Sequence, residues 1–259
     1  MKKFFKKLAM VVLALMTSIA FAAEISNEGY IEGEGLVYPE QGESLNAMRR
    51  TAELMAYRDL AEQVETLHIS SASTVRNSKL ENDVISTKVD AAVRGAKIVS
   101  RNRNQDGSFQ AIVRLPIYGG GQSLANAVLA EKVQVEELPK PKFTNLASSV
   151  EKNYTGLIID CRGKNISTAI TPAIKSADGT EIYAYKNVTR QMATEKGMVA
   201  YSSDINDATQ KLGGNPLTIK AISISGECDA VVSDEDASRI LIANQGTQFL
   251  NNCQVIFVR

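Results

Sequence analysis

Between Leu45 and Leu67, apolar residues return at steps of three, four or five: Leu45, Met48, Ala52, Met55, Leu60, Val64 and Leu67. That spacing predicts one long helix with a single apolar stripe. Arg49, Arg50, Glu53, Arg58, Asp59, Glu62 and Glu65 fill the other positions, some spaced for i,i+4 pairing as Arg58 and Glu62 are. Such a stripe must rest on a partner surface, and two strand-like runs offer one. Gly29 to Tyr38 puts Ile31, Gly33, Gly35 and Val37 on one face. Phe109, Ala111, Val113, Leu115 and Ile117 do the same, with Gln110 and Arg114 on the other side and Ile112 between them. Lys97 to Arg103 leads into this run through Asn104-Gln105-Asp106-Gly107, a hairpin turn.

The remaining elements complete a first module. Ser44 can cap the long helix. His68 to Val75 is β-prone. A second helix is expected over Leu80 to Val93, with Val84, Ile85, Val89 and Ala92 inward and Gly95 ending it. The order is β-α-β-α-β-β, an α+β module with helices on one face of a mainly antiparallel sheet. A third helix, Ser123 to about Val135, lies between Gly119-Gly120-Gly121 and the stiff Pro139-Lys140-Pro141 stretch.

A second mixed α+β domain follows. Thr155 to Cys161 reads as a buried strand, and Ala169 to Ile174 and Glu181 to Tyr185 flank the Ala177-Asp178-Gly179 turn. Asn187 to Glu195 and Asp204 to Leu212 look helical. Leu217 to Ser225 alternates like a strand, Ser233 caps a helix over Asp234 to Ala243, and Val255 to Val258 is a last strand. The expected division is 1–23 signal peptide, 24–137 first domain, 138–150 linker and 151–259 second domain.

The signal assignment rests on charge order. Lys2, Lys3, Lys6 and Lys7 precede the uncharged run Leu8 to Phe21, and Ala20-Phe21-Ala22 offers small residues for cleavage. The run is short of the roughly 20 residues of a membrane span, so an uncleaved anchor is the weaker alternative. The protein is expected to be exported: periplasmic, envelope-associated or secreted. No Cys follows Ala22 or Ala23 as a lipid attachment point. The whole chain balances 29 basic against 29 acidic residues; without the four signal lysines it is mildly acidic. With no basic stripe, it is a poor binder of nucleic acid and of anionic lipid.

No residue pattern specifies catalysis, a cofactor or a metal. His68 is the single histidine in the sequence and has no serine motif around it. Ser149 and Lys152 spell S-x-x-K without its companion motifs. The triple glycine lacks the ending of a nucleotide loop. Asp234-Glu235-Asp236 lacks the spacing of a calcium loop and suits a helix first turn. Cys161, Cys228 and Cys253 are three in number. Cys228 and Cys253 are the preferred disulfide pair, with three buried thiols as the equal alternative.

The run Met48-Arg49-Arg50-Thr51-Ala52-Glu53-Leu54-Met55-Ala56-Tyr57-Arg58-Asp59-Leu60-Ala61-Glu62-Gln63-Val64 carries a family resemblance. Ile69-Ser70-Ser71, Thr74-Val75, Gly95-Ala96-Lys97-Ile98-Val99 and the Asp106-Gly107 hairpin extend it. Over about Gly29 to Ile117 the chain resembles the Lpp-twenty envelope lipoprotein family, and is similar to the N-terminal domain of the flagellar accessory protein FlgT. The resemblance implies a module of envelope or flagellar-type assemblies, with no enzyme activity and no catalytic residue. The expected function is therefore a non-enzymatic, protein-binding or scaffolding envelope component, with envelope or flagellar-type proteins as partners and self-association open. Two alternatives remain. One is a hydrolase using acids of the second module, Asp160 and Asp178 among them. The other is a small-ligand module with a pocket between the domains.

Overall fold

A computed structural model describes residues 25–39, 42, 44–131 and 134–259; the expected signal segment lies outside the described residues. The first module contains β1 (Tyr30–Val37), α1 (Leu45–Thr66), β2 (His68–Ser70), β3 (Ser73–Thr74), α2 (Val75–Glu81), α3 (Asp83–Arg94), β4 (Lys97–Arg103), β5 (Phe109–Pro116) and α4 (Leu124–Val128). Its sheet is antiparallel, in the order β1-β5-β4. The α+β class holds for the chain as a whole: helices accompany an antiparallel sheet in the first module and one parallel and one mixed sheet in the second.

Helix α1 starts where Ser44 accepts the Ala47 N–H. Its buried side is Met48, Ala52, Ala56, Leu60 and Val64. Ala56 joins the expected stripe, while Leu45 and Met55 are exposed. The helix lies almost on the backbone of β1. A Cβ built at Gly35 would sit 2.0 Å from the Ala52 carbonyl oxygen, and one at Gly33 2.3 Å from that of Ala56. Glycine on the strand and alanine on the helix together permit this approach. Ile31, Ala111, Val113 and Leu115 complete the floor.

Three expectations change here. The helix predicted over Leu80 to Val93 is two helices. Asn82 takes extended backbone angles and its side chain accepts the Val84 and Ile85 N–H groups, so it caps α3 instead of continuing α2. Val84 is consequently exposed. Among the described residues, the predicted Ser123–Val135 helix has only the short α4, because Leu129 is already extended and the Leu129 and Asn126 carbonyls accept from Arg190 instead. The β-prone run after α1 forms its own small hairpin, β2–β3, and leaves the main sheet at three strands.

The second module contains β6 (Gly156–Asp160), β7 (Ile174–Ser176), β8 (Glu181–Tyr183), α5 (Arg190–Glu195), β9 (Ala200–Ser202), α6 (Ile205–Lys211), β10 (Pro216–Lys220), β11 (Ser223–Ser225), β12 (Asp229–Val232), α7 (Asp234–Thr247) and β13 (Val255–Val258). One sheet runs β10-β6-β13-β9 with every pairing parallel. Parallel strands need crossover connections, and α6 supplies the one from β9 to β10. Ile158, Ile256 and Val258 face Ala208 and Leu212 on the α6 side. Leu157, Ile159 and Phe257 face the main core. Burial on both faces explains why these strands read as unbroken apolar runs. The second sheet runs β11-β12-β7-β8. The single strand expected over Leu217 to Ser225 is divided at Ala221–Ile222 between the two sheets.

Candidate functional site

The two modules share one apolar core and are joined by main-chain hydrogen bonds. β2 forms a parallel bridge, His68 to Ala169. The Ile170 N–H donates to the His68 carbonyl at 3.0 Å, and the Thr171 N–H to that of Ile69 at 2.7 Å. Ile25 donates to Thr168 Oγ1 at 2.9 Å. From the other side, the Gly119 N–H donates to the Thr194 carbonyl, and the Glu136 N–H to that of Lys186. The Arg190 guanidinium donates to the Asn126 and Leu129 carbonyls, and the Tyr185 hydroxyl to that of Ala130.

A cleft of about 400 Å³ opens along this seam. Ser26 to Tyr30, Arg114 and Tyr118 line it from the first module, and Glu195, Lys196 and Tyr201 from the second. Arg114 lies 3.8 Å above the Tyr30 ring and pairs with Glu32 at 2.7 Å. The Tyr118 ring passes over Gly197, where a Cβ would stand 2.8 Å from it. Its hydroxyl donates to the Ile170 carbonyl at 3.3 Å, and burial holds its pKa above the ordinary phenol value.

The residues weighed for chemistry are not gathered there. His68 Nε2 is 3.2 Å from Glu227 Oε2, a polar contact across the seam. Ser149 Oγ donates to the Leu146 carbonyl at 3.0 Å. Asp160 takes both Arg162 guanidinium contacts, which hold its carboxyl below the usual range. Asp178 accepts from Lys142, Ser176 and Thr180; the Lys142 ammonium, then the Ser176 hydroxyl, hold it well below that range. Asp160 ends strand β6 and Asp178 sits in a turn, and both carboxylates are engaged by neighbouring donors. Asp236 accepts from Ser233 in the first turn of α7, and Asp234 faces Lys142 at 3.7 Å. The described residues hold no group of three or more His, Cys, Asp or Glu arranged for a metal ion.

The Cys228–Cys253 disulfide is not formed: all three cysteines are thiols. Cys228 is buried beside Asp229, with Sγ 3.9 Å from Oδ1. Cys253 lies in the turn before β13, against the Tyr183 hydroxyl on β8. Strand β7 separates β8 from β12, so the two thiols belong to different places in the fold. Burial pushes both Cys161 and Cys228 up to about 12.

Residues 21–116 match the family model of the LPP20 lipoprotein. The first module is similar to the LPP20 lipoprotein over these residues. Residues 156–259 match the model of the second domain of Treponema pallidum Tp0624. No curated protein matches the chain. The LPP20 match ends with β5, and the second match begins at the first residue of β6. The seam residues Tyr118, Gly119, Asn126, Leu129, Ala130 and Glu136 therefore lie between the two matched regions. No helix among the described residues is long and apolar enough to cross a membrane.

The seam is not legible in the sequence. Its donors and acceptors are mostly backbone groups, which leave no residue signature. The one recoverable hint was β2, a short run too isolated to extend a sheet made of longer strands.

Proposed function

We propose that this protein is a non-enzymatic, exported envelope component that holds other proteins in place, in an assembly of the flagellar or outer-envelope kind. The seam carries this reading. An LPP20-like module and a Tp0624-like module are locked by a shared core and main-chain bonds at both ends of the contact, which suits a rigid platform better than a hinged clamp. The acids considered for hydrolysis are engaged in turns and ion pairs. Cross-linking in intact cells, followed by purification of the chain, should recover the same partners repeatedly. A deletion strain with normal envelope integrity and motility, and no cross-linked partner, would overturn the reading. A hydrolase panel should show no turnover that Asp160→Ala or Asp178→Ala removes.

A second reading is supported by the seam cleft alone. Its volume suits a small molecule, and Arg114, Lys196, Glu28 and Glu195 give it both signs of charge. Native mass spectrometry of the purified chain tests this: a co-purifying species lost in Tyr118→Ala supports ligand binding, and an unloaded mass removes it.

A further inference from the structure

The first sheet has two outer strands, and they are finished differently. On β1 the outward backbone groups are occupied by α1: the Glu34 N–H donates to Asp59 Oδ2 at 2.8 Å, and the Gln63 amide donates to the Glu32 carbonyl at 2.8 Å. Gln63 also bonds Asp59, tying the two caps together. On β4 nothing comparable exists among the described residues. Its pairing is with β5 alone, and Lys97, Val99, Arg101, Asn102 and Arg103 are exposed. The Asn104 N–H to Ser108 carbonyl bond at 2.8 Å sets the phase of the ladder. Ser100 and Asn102 bond β5, so the backbone groups of Arg101 and Arg103 turn outward. The outer strands of the second module are shorter: β8, β9 and β11 have 3 residues each, and β10 has 5 and opens with Pro216. β4 has 7.

Every charged residue of β4 is basic: Lys97, Arg101 and Arg103. Arg101 shares Glu53 of α1 at 2.6 Å; Lys97 and Arg103 make no ion pair among the described residues. Self-pairing is disfavoured. Two β4 strands related by a two-fold axis at Ser100 set Lys97 opposite Arg103. Centring on Arg101 or Asn102 sets arginine opposite arginine. Basic side chains and the irregularity between Ile98 and Ser100 protect an edge against its own kind. They do not repel an acidic strand.

We propose that β4 is a docking edge that receives an extended acidic segment of another envelope protein as a fourth strand of the LPP20-like sheet. Arg101 and Arg103 share one face, so acids at alternate positions of the incoming segment meet them. The proposal rests on the adaptor reading above and names the partner chemistry for it.

The probe is a capped, strand-forming peptide alternating Glu with Thr; the control carries Lys in place of Glu. On the full chain, the acidic peptide should protect the Arg101 and Arg103 amides from hydrogen exchange, and the Lys peptide should not. Arg101→Pro removes one outward donor without touching the β5 ladder, and should weaken binding about fivefold or more; Arg101→Ala, which keeps the N–H, should weaken it less. If Arg101→Pro fails to fold, the double change Lys97→Glu with Arg103→Glu serves instead, and should transfer the preference to the Lys peptide. Equal binding of both peptides, or no binding, overturns the proposal. So does a dimer in sedimentation that Arg101→Pro abolishes, which would make the occupant a second copy. A chain with Arg101→Pro that still captures its cross-linked envelope partners refutes the β4 assignment and leaves the adaptor reading intact.

Discussion

The LPP20-like module and the second module reach stability by opposite routes. In the first, one helix lies on one strand with almost no side-chain volume between them, so backbone is packed on backbone at Gly33, Gly35, Ala52 and Ala56. In the second, the central strands are buried on both faces and draw their neighbours from distant parts of the chain, as where Leu157 stands opposite both Leu217 and Val255. The first design has little tolerance for added atoms. The second meets the same limit at Gly246 of α7, where a Cβ would stand 1.8 Å from the Lys152 carbonyl oxygen, but it depends on buried polar anchors to set the positions of its strands.

The sharpest test of the first design is to add one methyl group. Gly35→Ala should cost about 3 kcal/mol or more, the upper end for overpacking, because the atom it meets is the Ala52 carbonyl and not the tip of a flexible side chain. Gly121→Ala, with nothing within 4 Å, should be close to neutral. Urea unfolding of both variants checks this; equal midpoints would mean that α1 moves freely on β1.

The converse test removes a polar anchor. Asp229 is buried; it pairs with Lys175 at 2.8 Å and accepts the Ala173 N–H at 2.9 Å. Asp229→Ala leaves that N–H and a mostly buried ammonium without their partner, and should cost about 2–3 kcal/mol. In the first module, Glu53→Ala removes exposed pairs with Arg49 and Arg101 and should cost under about 1 kcal/mol. Similar losses in the two variants would erase the distinction.

What the sequence disclosed follows the same division. The stripe of α1, the glycine-bearing face of β1 and the Asp106-Gly107 hairpin were legible, because each is a local pattern whose period is set by its own geometry. So were the Ser44 and Ser233 caps. The break at Asn82 was not, since asparagine inside an apolar period serves either as a tolerated helix residue or as a cap. Ala56 was not, because the more apolar Met55 beside it fits the stripe's spacing as well, although Ala56 is fully buried and Met55 is exposed. The split of Leu217 to Ser225 into β10 and β11 could not be seen, because the alternation is the same in either sheet. The Cys228–Cys253 pairing failed for a related reason: adjacency to strands says nothing about which strands are neighbours. As to the site, the pocket between the domains was anticipated as a place, but its seam residues were not.

The seam itself decides whether the comparison concerns two domains or two halves of one. Tyr118 packs on Gly197 from the second module and donates to Ile170, so Tyr118→Ala should cost about 2 kcal/mol in coupling. In the parent chain, hydrogen exchange in α1 and in β6 should report the same unfolding free energy. In Tyr118→Ala the two should separate, with one module outlasting the other. Coincident values in the variant would show that the backbone bonds from His68, Ile69 and Gly119 suffice to couple the modules.

The smallest effect concerns acid. Lys142 and Ser176 hold the Asp178 carboxyl below its ordinary value of 3.8 in the fold. A lowered folded pKa means that the unfolded chain binds the proton more readily. The contribution is therefore complete above the ordinary aspartate range. It begins to fall as the pH drops toward 3.8, and is gone once the pH is below the folded value. Asp160, held low chiefly by Arg162, acts in the same direction. Asp178→Asn should make the second module's stability less dependent on pH below about pH 4, and should leave the neutral-pH midpoint of the first module in place. Because Lys142 joins the segment before the second module to the turn at Asp178 and to the start of α7, the variant should also raise hydrogen exchange at Phe143, whose N–H donates to Ser238 nearby. An unchanged acid profile would show that this ion pair is an exposed contact that the fold does not use, and would leave the attachment of that segment to the Phe143 and Glu136 N–H bonds and to the Asn187 amide, which donates to the Glu136 and Glu137 carbonyls.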